Sequence, residues 1–205
     1  MTEKSTVLAG NAPNIPGYSY GSTDVPLSPV AMDELRKLEA AAGWTPEDAG
    51  WLRVAADILV PQAEAMVDRW REAIASQPAL VLSFLDAQGK PDENYKAAVK
   101  RRFVRWVSDV CLRPHDQEWL NYQEEIGLRH TPAKKNRTDG GHTPPIVPQR
   151  YLIGFTAIVI TSARDFLAAT LKPQCEIDRM QDAWTRAVLL NIALWCRPYS
   201  VPGTW

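Results

Sequence analysis

The sequence lacks the signatures of disulfide-rich, zinc-binding and nucleic-acid-binding proteins. Its three cysteines, Cys111, Cys175 and Cys196, are odd in number, widely separated and without C-x-x-C spacing. This pattern indicates that the cysteines are small apolar core residues of a protein in a reducing compartment. The formal net charge is only −1, so the chain has no global field that would gather nucleic acid or an anionic membrane. We therefore expect no nucleic-acid partner.

Long apolar runs and a secretory leader are also missing. The N-terminal segment carries Glu3 and no apolar run, so it does not have the pattern of a secretory signal. The longest apolar stretch, 151–160, is about half of the roughly 20 residues that a membrane-spanning helix needs. These absences predict a cytoplasmic protein without a membrane partner, in which 151–160 belongs to a buried helix.

Motifs of the common hydrolases and kinases do not occur. The sequence has no HExxH, no paired carboxylates and no glycine-rich phosphate loop. Period-two alternation and internal repeats are absent too, which predicts an all-α fold of about eight or nine helices. A hydrophobic content of 45% fits one globular domain that can bury a core and a ligand pocket. The number of helices alone does not distinguish a helical bundle from a globin.

Hydroxyl N-caps, prolines and apolar periodicity predict where the helices lie. Ser28-Pro29 and Thr45-Pro46 each combine a capping hydroxyl with a proline suited to the first helical position. Four prolines and two glycines over 132–148 indicate a long loop of the kind that often carries function. The predicted elements are an irregular arm over 1–28 and helices at about 29–42, 46–59, from Pro61, 78–85, from Asp92, from Pro114 to near Gly127, 148–170 and 173–197.

The last two predicted helices are apolar around most of their circumference. In the first of them, Phe155 and Val159 lie on one face while Ile153 continues round to another. A helix that is apolar on both sides needs a second partner, and in a small protein that partner is often another copy of the chain. The pattern predicts a homodimer.

Three histidines are candidate functional residues. His130 follows an amphipathic helix, where it either completes the helix end as a dipole partner or offers an imidazole lone pair to iron. Spacing alone leaves both interpretations open. His115 follows Pro114 at a predicted helix start, so it is expected to be exposed and ordinary, and His142 lies on the glycine-rich part of the loop.

A resemblance to a known family covers nearly the whole chain after residue 14. The segment 119–130, WLNYQEEIGLRH, followed by KKNRTD at 134–139, resembles the protoglobins, single-domain relatives of the globin-coupled sensors. Further matching segments are IPGYSYG at 15–21, 95–106, RYL at 150–152, ALW at 193–195 and PY at 198–199.

The resemblance implies a three-over-three globin sandwich with an extra N-terminal helix, haem b as cofactor, and His130 as the proximal ligand to the iron. It divides the chain into an arm over 1–28 that covers the haem and a globin domain over 29–205. It also implies narrow apolar tunnels and a homodimer through the last two helices, which agrees with the apolar pattern of those helices.

The resemblance also assigns cavity residues by position. Trp70, Phe103, Phe155 and Val159 are expected in the haem cavity, although each side chain would serve equally as ordinary core. Tyr122 and the arm are expected nearer the haem propionates. A basic face formed by Lys96, Lys100, Arg101, Arg102 and Arg105 is either solvated charge or, through a residue such as Arg102, a partner for a propionate.

Arg71 is the main departure from the family pattern, because better-known members carry a distal tyrosine there. An unpaired guanidinium in an apolar pocket is costly. Arg71 therefore either turns to a propionate or to water, which is the favoured outcome, or stays inside and binds an oxygen atom or an anion. Thr131 is a second departure, because relatives often have another histidine at this position. It does not affect the assignment of His130 as the proximal ligand.

The expected function is reversible binding of O₂, CO or NO at a haem iron. One alternative is a haem enzyme acting on NO, peroxide or nitrite, since relatives also transfer carbenes from artificial reagents. A second is a sensor or interaction module that has lost haem and signals through a separate partner.

Overall fold

The computed structural model describes residues 15–201 and 203–205, so the predictions for the first half of the arm lie outside the described residues. Within these residues there is no strand, only an isolated bridge between Leu85 and Pro91. The all-α prediction is confirmed. The described part of the chain forms eight α-helices, which are α1 (Met32–Ala41), α2 (Pro46–Leu59), α3 (Ala63–Ala75), α4 (Pro78–Val81), α5 (Glu93–Leu112), α6 (Gln117–Leu128), α7 (Gln149–Ala168) and α8 (Gln174–Cys196).

Two of the predicted helix starts are wrong by about a turn, and another is confirmed. Thr45 caps α2 in a capping box with Asp48. By contrast, the hydroxyl of Ser28 accepts a hydrogen bond from the Val30 amide in a local turn, so α1 begins at Met32 instead of Pro29. Pro114 does not start α6 either, because Asp116 is the N-cap and its carboxylate accepts from the Trp119 amide.

Short 3₁₀ segments join several of the helices. Val60–Gln62 contains Pro61 and separates α2 from α3, as the proline predicts. Leu82–Phe84 extends α4 almost to the predicted end of the short helix. A third segment, Arg197–Tyr199, follows α8.

The helices pack around a core that is rich in tryptophan. α2 packs against α5, α7 and α8, α3 packs against α5 and α7, and α6 packs against α8. The Trp106 ring centre lies 6.1 Å from that of Trp70, 5.9 Å from that of Trp184 and 5.5 Å from that of Trp195. Three helices, α3, α5 and α8, thus meet at one aromatic cluster, which fixes elements on which the site is built.

The prediction that His115 is exposed is wrong. Its ring lies between the indoles of Trp44 and Trp119, with ring centres 4.7 and 4.1 Å away. Its Nδ1 is 2.7 Å from a carboxylate oxygen of Glu39, and burial lowers the pKa of the imidazole. This histidine connects α1 to the start of α6.

Helix α7 is the one described helix whose length and composition would allow it to cross a membrane. It packs here on α8, α2 and α3, and the core helix of a globular protein passes the same test. Ile153 on α7 and Leu189 on α8 are each about half exposed.

Candidate functional site

The backbone at His130 is held from three directions. His130 lies in the turn after α6, and its amide donates to the Gly127 carbonyl at 3.1 Å. Its own carbonyl accepts from the Val147 amide at 2.9 Å, and the Tyr199 hydroxyl lies 3.0 Å from the same oxygen. The end of α6, the loop before α7 and the segment after α8 therefore fix this residue together.

The His130 ring is oriented so that one nitrogen is left for a ligand. Nδ1 lies 2.8 Å from the Ile126 carbonyl oxygen, which can only accept, so the proton is on Nδ1 and the lone pair on Nε2. No described residue forms a hydrogen bond with Nε2. The Trp195 ring stacks on the imidazole, with the ring centres 5.7 Å apart and an angle of 22° between the ring planes. Burial lowers the pKa of His130 to about 4, so the ring is neutral at pH 7 and can bind a metal ion.

His130 lines a cavity of about 100 Å³ that we call the His130 cavity. The arm, α5, α6 and α8 all contribute to its mostly apolar wall. The remaining lining residues are Tyr18, Tyr95, Val99, Arg102, Phe103, Trp106, Asp109, Tyr122, Ile126, Arg129 and Trp195.

A larger cavity of about 290 Å³, which we call the α3–α5 cavity, lies on the other side of two of these residues. Val99 and Phe103 line both cavities, so the two cavities are adjacent. The lining is Val67, Trp70, Arg71, Ile74, Ala75, Val81, Phe84, Leu85, Pro91, Lys96, Val99, Lys100 and Phe103.

The residues predicted for the haem cavity fall into two groups. Trp70 and Phe103 line the α3–α5 cavity and meet edge to face at 6.1 Å, and the Trp70 indole donates to the Ser162 hydroxyl at 2.7 Å. Phe155 and Val159 line neither cavity and pack in the core beside them. The structure thus brings Phe103 close to His130 and leaves the two α7 residues one layer away.

Arg71 is turned toward solvent. Its side chain is 39% exposed and Nη1 lies 3.2 Å from a carboxylate oxygen of Asp68. This orientation corresponds to the outward alternative, with Asp68 as the partner in place of a propionate or water. Arg71 still lines the α3–α5 cavity.

Arg102 joins the arm to the long loop. Its two terminal nitrogens each lie 2.7 Å from an oxygen of Asp139, and Nη1 also donates to the Pro16 carbonyl at 2.9 Å. Gly17 follows with a φ of +72°, and a Cβ there would come within 2.5 Å of Arg102 Nη1. The close approach requires glycine.

Tyrosines of the arm cover the α6 side of the His130 cavity. Tyr18 and Tyr20 each pack edge to face on Tyr122, with ring centres 5.4 and 5.3 Å away. The Tyr18 hydroxyl donates to Asp109 at 2.8 Å, and burial raises the pKa of both groups although Arg105 also pairs with this carboxylate. The described part of the arm is thus a wall of the cavity.

The residue-by-residue predictions from sequence did not single out Lys135, Trp195 or Arg129. Lys135 is 1% exposed, donates to the Ser83 carbonyl at 3.0 Å and to the Thr143 hydroxyl, and lies 4.7 Å from the Tyr95 ring centre. Burial lowers the pKa of its ammonium group to about 8. All three lie in segments quoted for the family resemblance, which is the signal that could have found them.

The donor set fits a haem better than a bare metal ion. The described residues contain no cluster of three or more His, Cys, Asp or Glu side chains that could hold an ion. A single neutral imidazole on an apolar cavity suits an iron whose other ligands come from a macrocycle. Arg102 and Arg129 in the same wall suit anionic ring substituents.

The all-α fold and a histidine that faces an apolar cavity are the features of a globin. A sequence model of the Protoglobin family matches residues 31–204. The chain therefore belongs to the protoglobin family, which implies a haem-binding globin.

Comparison with solved structures confirms the predicted globin sandwich. The chain is similar to the globin domain of the Geobacter sulfurreducens globin-coupled sensor, with a TM-score of 0.62 and 14% sequence identity. The similarity covers 81% of this chain and 97% of that one, and at this identity it shows the fold alone. No curated protein matches the chain.

Proposed function

We propose that the protein binds haem b through His130 and reversibly binds O₂, CO or NO at the haem iron. The proposal rests on one observation, a neutral imidazole whose Nδ1 is engaged by the Ile126 carbonyl while Nε2 has no described partner beside an apolar cavity. When bound, haem supplies an iron with a coordination position open to a gas.

The surroundings of His130 determine how well it serves as a ligand. The bond from Nδ1 to the Ile126 carbonyl fixes the tautomer and raises the basicity of Nε2. Stacking on Trp195 limits rotation of the ring. These contacts hold the imidazole ready, so little conformational entropy is lost when iron binds.

Other side chains of the chain would hold the cofactor and protect it. Arg102 and Arg129 would bind the propionates, exchanging part of their present contacts with Asp139 and Glu125. Val99, Phe103 and Trp106 exclude water from the cavity, which favours a neutral gas over charged ligands.

Replacing His130 by Ala removes the proposed iron ligand and is expected to lower haem affinity at least about tenfold. The measurement is the Soret band of the ferric, ferrous and ferrous-CO protein after haem is supplied. Added imidazole should restore a histidine-like spectrum in the variant. His142→Ala is the matched control, because His142 is exposed and lies outside the lining of the His130 cavity.

The ligand assignment fails if His130→Ala and the parent protein give the same spectra and haem affinity. The haem proposal as a whole fails if the parent protein shows no Soret band after reconstitution. Gas binding fails if a haem-loaded ferrous protein shows no spectral change under CO.

A further inference from the structure

Four tryptophans, Trp70, Trp106, Trp184 and Trp195, form a continuous set of ring contacts that we call the tryptophan cluster. Trp195 stacks on the imidazole of His130, the proposed iron ligand. The Trp106 ring centre lies 5.5 Å from that of Trp195, 5.9 Å from that of Trp184 and 6.1 Å from that of Trp70. The cluster therefore extends from the proposed iron ligand into the core, and Trp106 is its central member.

Two members of the cluster face the proposed cofactor site. Trp106 and Trp195 both line the His130 cavity, so a haem held there by His130 would lie against both indoles. Trp184 meets this pair through the ring of Trp106. The electron-rich π-system of an indole can lose one electron, and haem carries out one-electron chemistry. The cluster is therefore placed to exchange electrons with the cofactor.

The environment of the two indoles favours a radical that keeps its proton. Trp195 Nε1 donates to the side-chain oxygen of Gln123 at 2.8 Å, and Trp106 Nε1 donates to that of Asn191 at 3.1 Å. An amide oxygen accepts a hydrogen bond but does not take up a proton at neutral pH. Both rings are buried, so water does not accept the proton either. Loss of an electron from either indole therefore leaves a cation radical.

We propose that Trp106 and Trp195 donate an electron to haem that has been oxidised by hydrogen peroxide, an inference that rests on haem binding at His130. The peroxide takes two electrons from ferric haem as its O–O bond breaks. One oxygen leaves as water with both protons, and the other stays with the haem. The tryptophan pair then returns one electron, so one indole becomes a cation radical and the haem keeps one oxidising equivalent.

Tyrosines in the same cavity are the competing electron donors. Tyr18 and Tyr122 also line the His130 cavity, and the Tyr18 hydroxyl donates to Asp109, which could accept its proton. Among the described residues, however, the aromatic ring stacked on the His130 imidazole is that of Trp195. The position of the tryptophan pair therefore favours tryptophan as the donor.

The test is electron paramagnetic resonance of ferric, haem-loaded protein that is frozen shortly after hydrogen peroxide is added. A protein radical signal is expected. Ring-deuterated tryptophan, incorporated during expression, should narrow the signal because the coupling to ring protons is lost. Ring-deuterated tyrosine should leave the signal unchanged. This comparison uses the parent sequence, so it does not depend on the folding of a variant.

Variants locate the donor. Phenylalanine keeps an aromatic ring but is much harder to oxidise, so the double variant Trp106→Phe, Trp195→Phe should lose the radical signal. Its Soret band should also bleach faster under repeated additions of peroxide, because the oxidising equivalents stay on the haem. Trp51→Phe is the matched control, since Trp51 is partly exposed, its indole donates to Glu47 and it lies outside the lining of the His130 cavity.

The proposal is overturned if no protein radical forms, if the signal narrows with deuterated tyrosine instead of deuterated tryptophan, or if a haem-loaded double variant gives the parent signal. The Soret band and its shift under CO report haem loading separately. A protein that takes up no haem overturns both proposals, whereas one that takes up haem and binds CO but forms no tryptophan radical overturns this one alone.

Discussion

At the scale of residues, the most deeply buried charged side chain among the described residues is that of Lys135. Lys135 is almost fully enclosed, and its ammonium group is held by a carbonyl, a hydroxyl and the face of Tyr95. These contacts attach the segment after His130 to the segment after α4. Because burial lowers the pKa of Lys135 to about 8, the folded state gives up this proton more easily than the unfolded chain.

The lowered pKa of Lys135 predicts a pH dependence of stability. Between about pH 8 and the unfolded value of 10.5 the unfolded chain binds more protons, so stability rises with pH over this window. Relative to Lys135→Met, the parent should gain about 2 kcal/mol of unfolding free energy between pH 7 and pH 10. Urea unfolding at several pH values measures the difference, and a difference that does not vary with pH would show that the pKa is normal.

The sequence predicts the surroundings of a residue when they come from neighbouring positions in the chain. It fails when they come from tertiary packing. The motif around His130 singles it out where its spacing alone does not, and its role as iron ligand stays a prediction. His115 was assigned wrongly because its burial depends on Trp44 and Trp119, which are brought together only by packing. The outward orientation of Arg71, by contrast, was the favoured outcome of the sequence analysis, and its partner Asp68 lies only one turn earlier on α3.

At the scale of elements, a capping residue predicts the start of a helix correctly when its side chain has no competing hydrogen-bond partner. Thr45 and Asp92 cap α2 and α5 as the sequence indicates. Ser28 has the same chemistry, but its hydroxyl accepts from Val30 and its amide donates to Asn121 on α6. A contact to a distant helix therefore moves the start of α1, which no local pattern could predict.

Gly17 permits the close approach of the arm to Arg102. Gly17→Ala places a Cβ within 2.5 Å of Arg102 Nη1 and in left-handed backbone, so it should displace the arm and lower the melting temperature. Gly89→Ala is the matched control, since Gly89 has a similar φ of +74° and no atom near the added Cβ. We expect Gly17→Ala to cost about 1 kcal/mol more than this control, and to speed limited proteolysis within the arm. Equal melting temperatures would contradict this role for the arm.

At the scale of the whole molecule, the globin sandwich was predictable because family motifs are spread along most of the chain. The division into an arm over 1–28 and a domain over 29–205 stays a prediction, as does the homodimer. The exposed Ile153 and Leu189 on α7 and α8 support an apolar interface there.

Replacing Ile153 by Glu puts a charge on the proposed interface and should shift the protein from dimer to monomer, with a loss of at least about tenfold in association. Light scattering after size-exclusion chromatography measures the mass directly. Leu27→Glu, at a residue that is 79% exposed on the arm, is the control and should leave the mass unchanged. A parent protein that is already monomeric contradicts the prediction.

The two hydrogen bonds of the Tyr199 hydroxyl limit how early during translation the surroundings of His130 can form. This hydroxyl contacts the carbonyl oxygens of His130 and Val147, although Tyr199 follows His130 by 69 residues. Because the ribosome delivers α7, α8 and this tyrosine long after the histidine, a nascent chain that has just exposed His130 lacks the contacts that hold it. Cofactor capture is therefore expected late in synthesis.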